Sequence, residues 1–417
     1  MGITSRRAGI TAIAAAAVMT LAACGGGGGF EETEEPTGSV AAVPEANKNQ
    51  VSLLFGSSGE AETRSVNAAV SAWSKESGIP ATTIPATDLV QQASQGFAGG
   101  NPADVLYVST DSFAGWAGNG SLLPYASQLP NADDFYDGLV QAFTQDGKFF
   151  CAPKDFSTLA LVINTDMWEE AGLTDADVPT TWDQLEAVSK KLTKGKRVGL
   201  AMGPEIQRVG VFLAQNGGAL VTDGQATANS PQNVEALTFL KQMMVDGIAD
   251  FSNQLGAGWG GEAFGKGLTA MVIEGNWITG AMANDFPDVN YKVVKLPAGT
   301  QEGTLQFTNC WGIATDADNA GGALSLVEYM TTKEQQLQFA KDFGVMPSLE
   351  SASEGYKEEF PEMAAFMDSA AAAQNLPAME GATEVIRDLN AQLEQLKTAD
   401  PKAILDSAQA NFEAILD

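Results

Sequence analysis

Leu159-Ala160-Leu161-Val162-Ile163-Asn164-Thr165-Asp166-Met167 is the stretch on which the fold turns. Its five leading apolar residues read as a strand, and helices follow over 167–171 and 182–194. The same order recurs on both sides. Upstream, Val51-Ser52-Leu53-Leu54-Phe55 ends at Gly56 as a buried strand feeding a turn, and 60–73 then sets Ala61, Val66, Ala69, Val70 and Trp73 at helical spacing. A second unit runs from Gly78-Ile79-Pro80 through a helix over 89–97 to a strand over 104–108. Downstream, strands are expected over 198–200, 269–273, 291–295 and 307–314, with helices over 207–215 and 233–245. Beyond Ala320 the pattern is mostly helical, over 323–330, 333–343 and an alanine-rich 362–373. The last helix places Ile404, Ala408, Phe412 and Ile415 on one face. The alternation predicts an α/β protein with a parallel-rich sheet, and 417 residues demand two such cores.

Composition removes several functions. With 23 Lys+Arg against 52 Asp+Glu, the formal charge of -29 repels phosphate backbones, so no nucleic-acid partner is expected. The chain has no histidine, which excludes Ser-His-Asp and Cys-His machinery and every His-containing zinc site. A hydrophobic share of 44% excludes global disorder. No spaced run of acids resembles a calcium loop, so neither metal nor cofactor is expected.

The first residues read as an address. Arg6 and Arg7 precede an apolar run over 10–21, too short to cross a bilayer core of roughly 30 Å as a helix. Leu21-Ala22-Ala23-Cys24 resembles the lipobox of bacterial lipoproteins, which implies cleavage of 1–23, lipidation of Cys24 and a membrane anchor. Cleavage removes two arginines and no acid, taking the charge to −31. Gly25 to Gly29 and the acids up to Glu35 make 24–50 a flexible tether. Cys151 and Cys310 can form a disulfide in an exported protein or stay as buried thiols.

Four segments in succession resemble the bacterial extracellular solute-binding proteins of family 1, the maltose-binding-like sugar receptors of ABC importers. They are Asp104-Val105-Leu106-Tyr107-Val108 with Asp111, Phe113 and Gly120-Ser121-Leu122-Leu123-Pro124, and then the opening stretch with Ala171-Gly172-Leu173 and Pro179-Thr180-Thr181-Trp182. Phe264-Gly265-Lys266-Gly267 through Glu274-Gly275-Asn276-Trp277 is the third, and Leu296-Pro297-Ala298-Gly299 leading to Trp311-Gly312-Ile313-Ala314 the fourth. Val162-Ile163 stand where the family usually carries an aromatic before Asn164. The resemblance implies a two-lobed, periplasmic-binding-protein-like fold of type II. Lobe one would hold 50–156 plus 311–347, lobe two 157–309 plus 350–417, with hinges near 156–157, 309–310 and 347–349. It also implies a sugar or oligosaccharide ligand bound by hinge closure, an ABC-transporter permease as partner, a monomer, and no catalysis.

A sugar site needs carboxylates and amides in plane with the hydroxyls and aromatic rings against the C–H faces. Asp111 follows a strand at the sheet's ligand edge, and is either a ligand group or a helix cap. Asp155 and Phe156 sit at the first crossing, Asp155 facing the cleft or pairing with Lys154 on the surface. Glu205 enters a helix, as a ligand group or a dipole partner. Trp277 matches the family's stacking position, the alternative being the core, and Trp259 lies in a glycine-rich loop. Trp311 is hinge packing or cleft wall; Glu274, Asn276 and Asn309 complete the polar candidates, and Trp73, Trp168 and Trp182 belong to the core. The competing functions are a surface glycosidase, for which the acid count carries no information, and the same fold holding a polyamine, an iron complex or an osmolyte.

Overall fold

In the computed structural model, which describes residues 41–416, the opening stretch is the second half of a 13-residue strand, Ala152–Asn164. The expectations for the signal sequence and Cys24 lie outside the described residues. The strand begins seven residues before Leu159, because Pro153-Lys154-Asp155 is extended and paired instead of looping. We number the strands of the main sheet β1 Val51–Phe55, β2 Ala81–Pro85, β3 Val105–Ser109, β4 Ala152–Asn164, β5 Val198–Met202, β6 Ala249–Phe251, β7 Thr269–Gly275, β8 Tyr291–Val294, β9 Thr304–Ile313 and β10 Ala373–Gln374. Four helices matter for the site: α1 Glu60–Ser77, α2 Thr110–Gly118, α3 Ile206–Gln215 and α4 Trp277–Asp285.

The sheet runs β6-β5-β7-β4-β9-β3-β1-β2, with β8 on β4 and β10 on β9. Two parallel trios, β2-β1-β3 and β6-β5-β7, are the sheets of two α/β lobes. Between them β4 and β9 run antiparallel to each other and to the trio beside each. The sheet is therefore less parallel than expected: the chain leaves one lobe along β4 and returns along β9, so the two must oppose. Their register slips at Asn309/Cys310, pairing Asn309 with Asp155 and Cys310 with Pro153 and leaving Lys154 as the bulged residue. Proline sits there at no cost in ladder bonds.

Three apolar cores form where two were expected. The first packs β1 and β3 with α1 and the helices Ala320–Met330 and Lys333–Phe343. Along β4, Leu159, Leu161 and Ile163 enter a second core with Phe212, Leu237, Ile273 and Phe412. Phe156, Ala160 and Val162 point the other way, into a third core with Val272, Ile278, Met346, Tyr356 and Phe366. Burial on both faces is why this strand reads as an unbroken apolar run. The third core draws on Leu139, Ala340 and Met346 as well, so it packs under the crossing strands.

A third segment joins the crossing. Phe156 donates its N–H to the Met346 carbonyl at 3.2 Å, and Ser348 Oγ donates to the Pro153 carbonyl at 2.7 Å. Cys151 and Cys310 are bonded as a disulfide, 159 residues apart in sequence with Cα atoms 5.6 Å apart. It ties the start of β4 to β9.

Two expectations change. The helix over 362–373 is broken into short turns around Ala364–Met367: the Phe366 carbonyl accepts Thr158 Oγ at 2.7 Å and the Ser369 N–H in a tight turn, which ends the α-helical ladder. The end of the tether is not free. Val43 N–H donates to Gln128 Oε1 at 2.9 Å and Asn47 N–H to Asn319 Oδ1 at 3.0 Å, fastening this stretch to the first lobe. A strand, β2, and a helix, Ala382–Leu393, lie in stretches left unassigned. Among the described residues no helix is long and apolar enough to cross a membrane.

Candidate functional site

The second lobe builds its wall from a buried carboxylate outward. Glu274, near the end of β7, is 1% exposed. Its Oε2 accepts Arg208 Nη2 at 3.0 Å, Arg208 Nε at 3.2 Å and Trp277 Nε1 at 3.0 Å. Burial raises the Glu274 carboxyl above its usual range, and Arg208 opposes that shift. Arg208 comes from α3, one turn after Glu205, whose Oε1 lies 3.4 Å from Nη1. The guanidinium carbon sits 4.9 Å from the Trp277 ring centroid, a cation–π contact of about 0.5–2 kcal/mol. Phe307 of β9 meets the same indole edge-to-face at 5.7 Å. The ring folds over Gly275, where a Cβ would lie 2.2 Å from it, so only glycine fits there. Trp277 is thus fixed by a hydrogen bond, a cation and a phenyl ring, yet remains 38% exposed. It opens α4 instead of closing a turn, so its indole is presented at a helix start.

The first lobe does the same with a cation. Lys154, pushed out by the bulge, is buried beside Asp155 and 3.1 Å from Glu62 Oε1 on α1, and Nζ lies 4.7 Å from the Tyr107 ring centroid. Tyr107 OH donates to Glu62 Oε1 at 2.9 Å, and Glu62 Oε2 accepts the Ser58 N–H and Oγ at 2.7 Å each. Burial alone would raise Glu62, but Lys154 and Ser58 outweigh it and hold the carboxyl below its usual range. For Asp155 burial outweighs Lys154 and the carboxyl is raised. This network pins the turn after β1 against the crossing strand.

The candidates separate accordingly. Asp111 is exposed in the first turn of α2, and among the described residues its carboxylate has no hydrogen bond; Ser109 holds the cap position, so Asp111 is not the cap. Ser109 pairs with Asn309 and Asn309 with Asp155, which brings the end of β3 and both crossing strands together. Asn309 is half-buried. Glu205 occupies the N-cap position of α3 without a cap bond and pairs with Arg208. Trp259 is half-buried at the cap of the helix Gly260–Gly265 and packs on the third core; Asn276, at the cap of α4, is buried.

Four candidates need correction. Phe156 belongs to the third core, 5.3 Å from the Tyr136 ring, because alternation along β4 turns it away from the polar face. Trp311 is buried in the first core against Tyr107 at 4.8 Å, because β9 pairs there with β3, Trp311 opposite Tyr107. Glu274 is buried and commits Oε2 to Arg208 and Trp277, and so positions Trp277. Asp155 does pair with Lys154, but in the interior instead of on the surface. Sequence reasoning missed Arg208, although its i,i+3 spacing from Glu205 pointed to it. It also missed Phe307, Glu62 and Tyr107, which only tertiary pairing brings in. Among the described residues no group of three metal-binding side chains is present.

The sequence matches the family described as "Bacterial extracellular solute-binding protein" over residues 68–374. A putative binding protein of Brucella abortus is 25% identical over 360 residues, covering 80% of this chain and 84% of that protein. The arabinooligosaccharide-binding protein of Bacillus subtilis is 27% identical over 237 residues, 52% of each chain. Among solved structures, the cyclic alpha-maltosyl-1,6-maltose binding protein of Arthrobacter globiformis superposes with a TM-score of 0.79 at 21% identity, covering 88% of this chain and 98% of that one. Each of these relatives is a binding protein, and this chain works by binding and not by catalysis. The two-lobed fold, with its crossing strands and the match across most of the chain, places it among the bacterial extracellular solute-binding proteins.

Proposed function

We propose that the protein is the substrate-binding component of an ABC importer, taking a sugar or oligosaccharide between its lobes and presenting it to a membrane permease. The observation that carries this reading is Trp277: an indole held from three sides and left exposed offers a rigid apolar face for the C–H groups of a sugar ring. Asp111, exposed and without a partner among the described residues, supplies a carboxylate for hydroxyls from the other lobe. The similarity to an arabinooligosaccharide-binding and a maltosyl-maltose-binding protein supports the same ligand class.

The lobes are assigned to 50–156 plus 311–347 and 157–309 plus 350–417, bending where β4, β9 and 347–349 come together. Closure excludes water and strengthens the polar contacts, and the ligand drives it only by binding the closed state more tightly. The protein is exported, anchored through lipid on Cys24, and monomeric.

A thermal-shift panel of neutral sugars, phosphorylated sugars, polyamines and osmolytes tests the reading. A specific sugar at 100 times its Kd adds about 2.7 kcal/mol of stability and remains chemically intact. If only a non-sugar raises the melting temperature, or the sugar is hydrolysed, the reading fails. Cys24→Ala is expected to release the protein from membranes; retention refutes the anchor.

A further inference from the structure

The helix Ala320–Met330 carries Gly321-Gly322 in its first turn, although glycine is the weakest helix former after proline. Packing explains the choice. A Cβ at Gly321 would lie 2.3 Å from the Ala46 nitrogen and 2.3 Å from the Pro44 carbonyl oxygen, and one at Gly322 would lie 2.5 Å from Asn319 Nδ2. The turn is bare because the chain at 44–46 crosses directly over it.

Asn319 caps that helix, is fully buried, and commits its carboxamide to the same crossing chain. Its Oδ1 accepts the Asn47 N–H and the Gly322 N–H, each at 3.0 Å. Its Nδ2 donates to the Asn49 carbonyl at 2.9 Å and to the Asn47 carbonyl at 3.3 Å. Both donors and both acceptor positions are therefore used. The Asn319 N–H donates to Asp104 Oδ1 at 2.9 Å, and Asp104 Oδ2 accepts the Ser52 N–H and Oγ, which joins this clasp to the starting ends of β1 and β3. Asp111 follows the other end of β3. A second clasp holds the far end of the segment. Beyond the Val43 bond, Gln128 Nε2 donates to the Ala41 carbonyl at 3.2 Å, and the Val43 side chain packs on the first core. The segment carries one acid, Glu45, and one base, Lys48, so it is neutral, unlike the stretch from Glu31 to Glu35 before it.

We propose that residues 41–49 are a strap whose docking site is this face of lobe one, and that docking moves the root of the membrane tether from residue 50 to Ala41. The tether rests on the lipid-anchor reading above; the strap does not. Pinning shortens the free chain beyond Cys24 from 26 residues (50 − 24) to 17 (41 − 24), and its extended reach from about 90 Å to about 60 Å. A shorter tether holds the protein at a higher local concentration beside its membrane partner. Neither clasp covers Asp111, which stays exposed.

The test compares amide hydrogen exchange in the full chain with that in a synthetic peptide of residues 41–50. The Val43 and Asn47 amides should exchange at least about a hundredfold more slowly in the chain. Gly321→Ala improves helix propensity yet should bring both amides within about threefold of the peptide. Gln128→Ala should free Val43 and spare Asn47, and melting confirms that the variants are folded. For the tether, Cys24, the one cysteine outside the Cys151–Cys310 bond, is coupled to a maleimide lipid in neutral vesicles, and the protein is then released with a broad-specificity protease. The released chain should begin near residue 41 in the wild type and near residue 50 in Gly321→Ala. Peptide-like exchange in the wild type, unchanged protection in folded Gly321→Ala, or trimming of the wild type to residue 50 overturns the strap and leaves the lipid anchor standing. Membrane retention of Cys24→Ala in cells removes the tether's role and leaves the strap.

Discussion

Replacing Cys151 and Cys310 with alanine removes a covalent link between the first residue before β4 and the middle of β9. The link closes a loop of 159 residues, and loop-closure entropy for that length is worth about 5 kcal/mol at 25 °C. Both residues are buried in the first core, and β4 and β9 remain paired by their backbone ladder, so the folded state loses little contact area. The loss therefore lies in the unfolded chain, which gains freedom. Guanidinium unfolding followed by tryptophan fluorescence should show a drop of several kcal/mol. It should also show a steeper denaturant dependence, because the unlinked denatured chain exposes more surface. Ligand affinity should be unchanged, since the folded cleft is the same. A loss below about 1 kcal/mol at unchanged slope refutes the unfolded-state argument. Free thiols at both positions in a non-reducing digest of the wild type would refute the link itself.

Trp277→Ala and Asp111→Ala should each weaken ligand binding about tenfold or more in calorimetry; unliganded melting stays near wild type for Asp111→Ala, whose side chain is exposed, and falls modestly for Trp277→Ala, which also loses the Glu274, Arg208 and Phe307 contacts. A large loss of unliganded stability would return that residue to a packing role. Arg208→Met strips the cation from buried Glu274 and should cost about 3–5 kcal/mol; adding Glu274→Gln should recover most of it in the same denaturation assay, and no recovery would show that lost packing dominates. Lys154→Met should cost a similar amount at neutral pH, again about 3–5 kcal/mol. The Glu62 carboxyl is held below its usual value of 4.5 in the folded wild type, so its contribution is complete above that value and is lost as pH falls through the lower folded value. Without Lys154, burial drives Glu62 and Asp155 towards the protonated form, so the gap between wild type and variant should narrow on acidification. A gap independent of pH refutes the pairing.

The legible part of the fold was whatever a single strand or helix could state alone. The run Leu159 to Ile163 announced a strand because both of its faces are buried, and Val51–Phe55 did so for a similar reason. Its true start was hidden, since Pro153-Lys154-Asp155 looks like a loop and is extended only because β9 pairs with it. The alanine-rich 362–373 shows the converse error: local propensity favoured a helix, and a hydrogen bond from Thr158 on a distant strand broke it. Trp277 and Asp111 were readable as residues placed after strands, and the structure leaves both exposed. The assignments of Phe156 and Trp311 failed because the core a side chain enters from a crossing strand depends on tertiary pairing: Trp311 lies opposite Tyr107 of β3, and Phe156 alternates into the core beneath β4, beyond the Lys154 bulge.

The two walls share one construction. On each, a buried charge holds an exposed group in place: Glu274 orients Trp277, and Glu62, paired with Lys154, fastens the turn at Ser58 to the crossing strand beside Asn309. Buried ion pairs of this kind contribute little net stability, but they fix rotamers before a ligand arrives, and that lowers the entropy lost on binding. The same construction consumes the cations. Lys154 faces Glu62 and Asp155, and Arg208 faces Glu274 and Glu205, so each positive charge is already matched by two carboxylates. An anionic solute that displaced Glu62, Asp155 or Glu274 would leave that carboxylate buried and unpaired, at a cost of several kcal/mol; only Glu205, a third exposed, could move into water. A neutral sugar needs no such exchange: in the proposed site, hydroxyl contacts from Asp111 and a ring face from Trp277 would leave both buried networks intact.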